Sequence, residues 1–139
     1  MKKIITVEWL SLDGFFSGPK GETDWFVMDE GTEQYLSNLF KSIDTIVLGH
    51  VTYKMFSAYW PKPDPADGNP KELTDFMNNS RKVVFSKTLD KAKWHNTDVF
   101  KTITPNEIKK LKGEPGKDIV IFGSGSIVSQ LTKLGLIDE

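Results

Sequence analysis

Gly123-Ser124-Gly125-Ser126 follows the apolar run Ile119-Val120-Ile121-Phe122 and leads, at Ile127, into a helical pattern. Backbone N–H groups at a helix N-terminus carry partial positive charge, and glycines let a phosphate approach the main chain. Serine hydroxyls add donors, so this stretch suits an anion. It is not a complete dinucleotide fingerprint, because Val128 stands at the third glycine position. It also lacks the Gly-Lys-Ser/Thr ending of a P-loop, and taken alone it equally fits a plain tight turn.

Two further stretches have the same build. In Thr45-Ile46-Val47-Leu48-Gly49-His50-Val51-Thr52, a strand ends at glycine and a helix begins, with His50 and Thr52 able to offer a ring N–H and a hydroxyl. Thr52 as a helix cap and His50 as a surface residue is the plainer alternative. Ser86-Lys87-Thr88 follows Val83-Val84-Phe85 and offers hydroxyls and a cation, or an ordinary polar loop. Ligands of open α/β sheets bind beyond the C-terminal ends of the strands. Three such loops can therefore converge on one ligand with several phosphates.

Metal and nucleophilic chemistry find little support. His50 and His95 are the only histidines, there is no cysteine, and no close His-carboxylate spacing exists. Gly123-Ser124-Gly125 lacks the spacing of a nucleophile elbow. No metal site is expected.

The elements that must position these loops alternate. Strands are expected at Lys3 to Leu12, Thr45 to Leu48, Lys82 to Ser86, Asp98 to Lys101 and Ile119 to Phe122. Helices are expected from Glu30 to Ser42, Val51 to Tyr59, after the cap Asn69 with Pro70 in the first turn, after the cap Thr104 with Pro105, and from Ile127 to Leu134. Ser124 or Ser126 can cap the last. The alternation predicts an α/β layered fold with a largely parallel sheet. The four prolines between Pro61 and Pro70 mark a surface loop.

The chain has 139 residues, enough for one domain with a real core. Its 18 basic and 19 acidic side chains leave no electrostatic footprint for nucleic acid or an anionic membrane. No stretch approaches the roughly 20 apolar residues that span a bilayer, and no signal peptide is evident. The absence of cysteine fits a reducing compartment, and a cytoplasmic location is expected.

"ITVEWLSLDGFFSG", "DTIVLGHVTYKMF", "VVFSKTL" and "IVIFGSGSIVSQLTKLGLIDE" together resemble the dihydrofolate-reductase-like family. The resemblance is strongest to its branch with the riboflavin-biosynthesis reductase domain, the RibD C-terminal domain, and covers nearly the whole chain. It implies a three-layer fold with a mixed, mostly parallel central sheet flanked by helices. It implies an NADPH-dependent reductase resembling dihydrofolate reductase or 5-amino-6-(5-phosphoribosylamino)uracil reductase, acting on a pterin-like, pyrimidine-like or carbonyl compound. By resemblance Gly49, His50 and Thr52 meet cofactor phosphates, Ser86 and Lys87 meet the 2′-phosphate side, and Gly123, Ser124, Gly125, Ser126 and Ile127 meet the pyrophosphate. Leu12 lies beside the nicotinamide. Ser11, Asp13, Asp24 and Trp25 form the substrate side, and Asp29 is the candidate acid, with Glu30 and Asp24 as rivals. The same acids also fit a helix N-terminus with no chemistry at all.

The family often has arginine where His50 stands, which leaves Lys87 to read a 2′-phosphate. Its members normally continue past Gly135-Leu136-Ile137-Asp138-Glu139 with a further pair of strands. Without them an edge would lie open, favouring a homodimer. A nucleotide-binding protein without turnover and a purely structural dimerisation domain are the competing expectations.

Overall fold

The computed structural model describes residues 1–139. Five strands form one sheet in the order β1-β5-β2-β3-β4. They are β1 (Ile4–Val7), β2 (Ile43–Gly49), β3 (Arg81–Phe85), β4 (Thr97–Phe100) and β5 (Asp118–Phe122). Every pairing is parallel, so the mixed character implied by the resemblance is not present in these five strands. The helices are α1 (Glu30–Ser42), α2 (His50–Tyr59), α3 (Lys71–Asn79), α4 (Pro105–Gly113) and α5 (Gly125–Lys133).

A parallel sheet covered on both faces needs strands apolar on both sides. Ile46, Leu48, Val84, Val120 and Phe122 pack with Leu36 of α1, Tyr53 of α2 and Met77 of α3. Their alternates Val47, Val83, Phe85, Ile119 and Ile121 pack with Ile108 and Leu111 of α4 and Ile127 and Leu131 of α5. The result is three layers, as expected.

The elements differ from the sequence expectation at their ends. β1 stops at Val7 rather than Leu12, because its partner β5 ends opposite it at Phe122. α3 starts at Lys71, with Pro70 at the cap position and no side-chain cap, so Asn69 does not cap it. Asn69 donates instead to the Tyr59 hydroxyl. α4 behaves as read: the Thr104 hydroxyl accepts from the Glu107 amide at 3.2 Å.

The last residues run along the outer edge of β1. The Ile4 carbonyl accepts from the Glu139 amide at 3.2 Å, and the Thr6 amide donates to the Glu139 carbonyl at 2.8 Å. That is the pattern of one parallel bridge. Asp138 accepts from the Ile4 amide and from Lys112 Nζ, both at 2.7 Å. The edge expected to lie open is therefore occupied from Ile4 to Thr6.

Candidate functional site

Three loops meet beyond the C-terminal ends of β2, β3 and β5. The Gly49 amide donates to Ser124 Oγ at 2.8 Å, tying the end of β2 to the turn after β5. His50 Nδ1 lies 2.8 Å from Ser86 Oγ, tying the start of α2 to the end of β3. Ser86 is buried and its hydroxyl also accepts from the Leu89 amide at 3.0 Å. The convergence expected from the sequence is thus built by two long-range hydrogen bonds.

The turn itself is unusual in its backbone. Gly123 and Ser124 are both left-handed, with φ of 62° and 60°. Glycine adopts this at no steric cost, whereas serine pays for it. The bond from Gly49 to Ser124 Oγ helps hold that conformation. Ser124 sits at the cap position of α5, yet its hydroxyl does not cap the helix. The helix begins at Gly125, two residues before the expected Ile127. Ile127 is buried in the core and Ser126 is exposed.

The N-termini of α2 and α5 differ from that of α1. Asp29 caps α1, and Glu30 and Glu33 sit in its first turn. Neither α2 nor α5 has a side-chain cap or an acidic residue in its first turn. Their leading N–H groups and positive dipole ends are left uncompensated side by side. Thr52 does not cap α2; it is buried near Gly123. A Cβ on Gly123 would lie 3.9 Å from Thr52 Oγ1, and one on Gly125 would meet the Phe16 ring at 3.0 Å. Lys87 is exposed beside these loops.

A cleft of about 560 Å³ opens next to the turn and reaches into the layer formed by α1, α2 and α3. Thr52, Gly123 and Ser124 line one end of it. Trp9, Phe26, Phe40, Phe56 and Trp60 supply much of its wall. Trp9 stacks on Phe26 with ring centroids 5.4 Å apart. Glu8 is the one acidic side chain on the lining. Burial pushes its carboxyl up, and the Thr6 hydroxyl, donating at 3.1 Å, offsets this only in part.

The remaining expected residues lie elsewhere. Asp29 is exposed, and its carboxylate accepts from the Thr32 hydroxyl at 2.7 Å and the Thr32 amide at 2.8 Å. These bonds hold its carboxyl below the usual range, the wrong direction for a proton donor. Ser11 and Asp13 bond each other at 2.6 Å within an exposed turn, and Leu12 is fully exposed at its tip. Asp24 is exposed, and Trp25 meets Phe26 edge to face at 4.7 Å without lining the cleft. Glu8 was not among the expected residues. Its signal was available: a lone acid inside Ile4-Ile5-Thr6-Val7-Glu8-Trp9-Leu10.

The model of the RibD C-terminal domain matches residues 2–139. The chain belongs to the RibD C-terminal domain family. This RibD C-terminal domain is 36% identical over 141 residues to the uncharacterized protein YyaP of Bacillus subtilis, covering 99% of this chain and 71% of that protein. It is 25% identical over 150 residues to the uncharacterized protein YwjB of the same organism, covering 99% and 73%. A crystal structure from Shewanella sp. PV-4, provisionally described as a riboflavin biosynthesis protein, superposes with a TM-score of 0.69. It covers 99% of this chain and 73% of that one, at 19% identity, and so speaks to the fold. The fold of this RibD C-terminal domain is dihydrofolate-reductase-like. No helix in it is long and apolar enough to cross a membrane.

Proposed function

We propose that the chain is an NADPH-dependent reductase of a small heterocyclic or carbonyl compound. The observation that carries this reading is a pair of uncapped, acid-free helix N-termini abutting an apolar cleft with a single carboxyl. Membership of a reductase-type family supports it.

The residues present fit the cofactor. The left-handed Gly123 and the first turns of α2 and α5 offer free N–H groups for a pyrophosphate. If Ser86 donates to His50 Nδ1, the other ring nitrogen of His50 keeps its proton and can donate outward. Lys87 supplies a cation for a 2′-phosphate. NADPH bound there would supply the hydride. Glu8 is the group placed to give the balancing proton, since burial keeps its carboxyl protonated to higher pH than an exposed one. Asp29, committed to its cap, is not assigned this role. Trp9, Phe26 and Phe56 exclude water and hold the substrate face on. A homodimer is part of the proposal.

Titration with NADPH and NADH, followed by tryptophan fluorescence, tests the reading because Trp9 and Trp60 line the cleft. Saturable quenching that favours NADPH, with the preference lost in Lys87→Ala, is expected. A folded chain that binds neither nucleotide would overturn the proposal.

A further inference from the structure

Helix α2 carries much of the site. Its first turn leaves N–H groups free, and Val51, Thr52, Met55, Phe56, Tyr59 and the following Trp60 line the cleft. Where α2 stands therefore sets both the anion end and the aromatic wall. Asn78, in the last turn of α3, is absent from the cleft lining, yet it is tied to both ends of α2.

At the far end the tie is direct. Asn78 Nδ2 donates to the Trp60 carbonyl at 2.8 Å and to the Thr74 carbonyl at 3.1 Å. At the near end it runs through one residue. Asn78 Oδ1 accepts from Trp94 Nε1 at 3.0 Å, and the Trp94 and Lys93 amides donate to the Tyr53 hydroxyl, near the start of α2, at 3.4 and 3.1 Å. Lys82 closes the frame. Its ammonium donates to the Asn78 carbonyl at 2.9 Å and lies 4.5 Å from the Trp94 ring centre. Tyr53, Lys82 and Trp94 are all buried. Only one orientation of the Asn78 amide satisfies two carbonyls and an indole N–H at once. Aspartate lacks the donor, and alanine lacks both groups. A fully paired polar network of this kind rigidifies a core and specifies one arrangement of it.

From this geometry we infer that Asn78 is a positioning residue: it sets the place of α2 by both ends, and so fixes the separation between the free N–H groups and the Trp60 wall. The inference rests on the reductase reading only for a nucleotide's being what the first turn of α2 receives.

Hydrogen exchange read by mass spectrometry, with NADPH titration beside it, tests this. Trp94→Phe removes the indole donor, and Tyr53→Phe removes the hydroxyl. Each should speed exchange of the amides at positions 93 and 94 and at the start of α2 by roughly two- to tenfold, the worth of one hydrogen bond. Each should weaken NADPH binding by a similar factor. In the double variant the two effects should not add, because both cut the same link. Asn78→Asp keeps the acceptor for Trp94 but sets a carboxylate against two carbonyls. It should speed exchange at Tyr59 and Trp60 and leave NADPH affinity within about twofold of wild type. If Asn78→Asp does not fold, Asn78→Ala serves in its place, with both ends of α2 then loosened. Exchange raised evenly over the chain, or NADPH affinity untouched by both Trp94→Phe and Tyr53→Phe, would overturn the inference. The two readings fail separately. End-specific exchange in a chain that binds no NADPH would sink the reductase proposal and leave the role of Asn78 intact; NADPH binding with even exchange would do the reverse.

Discussion

The two ends of the sheet are built on opposite plans. At the N-terminal end, charge is paired almost side chain by side chain. Lys2 lies 3.5 Å from Asp44, and Arg81 bridges Asp98 and Glu114. Lys112 meets Asp138, and Lys3 meets Glu139. Asp44 sits at a bulge in β2. Its burial disfavours the charge, but the Lys117 amide, the Thr45 hydroxyl and Lys2 outweigh that and hold its carboxyl low. Lys82, wholly buried, gives its ammonium to the Met77 and Asn78 carbonyls at the end of α3 and lies 4.5 Å from the Trp94 ring centre. At the C-terminal end, two helix N-termini are left bare, a serine is held left-handed, and a carboxyl oxygen stays unpaired. Satisfied groups stabilise a fold, and unsatisfied ones persist where a ligand can complete them.

The largest expected effect breaks the open end. Glu8→Gln should lower turnover on the eventual substrate by about a hundredfold or more, the usual scale for losing a general acid, while NADPH affinity stays unchanged. Wild-type kcat should fall as pH rises through the raised Glu8 pKa, because the donor must be protonated. That limb should vanish in the variant, and steady-state kinetics across pH would show it.

Next comes the closed end. Asp138→Ala removes the acceptor of the Ile4 amide and strands the buried Lys112 ammonium. A loss of about 1–3 kcal/mol in denaturant unfolding is expected, with no change in nucleotide binding. Lys112 first, then the Ile4 amide, holds the Asp138 carboxyl low. Its contribution is therefore complete above the ordinary carboxylate pKa and is lost as pH falls through the folded value. A wild-type acid midpoint equal to that of Asp138→Ala would contradict this.

Ser124 sharpens the contrast more gently. Ser124→Ala loses the bond from Gly49 but keeps the left-handed backbone, and should cost about 1 kcal/mol. Ser124→Gly loses the same bond but relieves strain of similar size, so its melting temperature should stay near wild type. Both variants should bind NADPH more weakly if the turn's geometry matters.

An effect visible only at alkaline pH concerns Lys82. Burial pushes its ammonium down to about 8 from an ordinary 10.5. Between those values the unfolded chain still holds a proton that the folded chain has released, so stability rises with pH. Lys82→Met should flatten that rise in chemical denaturation series.

Much of this was legible in the sequence, and the rest depends on packing and bonding that a local pattern does not display. The buried strands announced themselves as apolar runs, and Thr104-Pro105-Asn106-Glu107 encoded its cap locally. The three loops could be placed together because parallel topology puts them at one end. Glu8 escaped because in an edge strand a polar alternate such as Thr6 or Glu8 looks solvent-facing. Glu8 shares the lining of one cleft with Phe16, Phe26 and Met28, a grouping that no local sequence pattern announces. Ser124 and Ser86 are expected as ligand donors, and their hydroxyls also tie the loops together through partners 75 and 36 residues away, which the sequence does not display. Asp29 was chosen by placement at a helix start, where capping alone explains a carboxylate.

The parallel bridge from Glu139 to β1 has a consequence for how the chain acquires its shape. β1 pairs on one side with β5 and on the other with Asp138 and Glu139. The Lys3 amide bonds Asp118, 115 residues away, and the Ile4 amide bonds Asp138, 134 residues away. β2, β3 and β4 can assemble as neighbours, but β1 docks only once β5 is in place. Loop-closure entropy is then spent late and all at once. Until β1 docks, the Glu8 side of the cleft does not exist, so the ability to hold a ligand depends on a long-range closure of the chain.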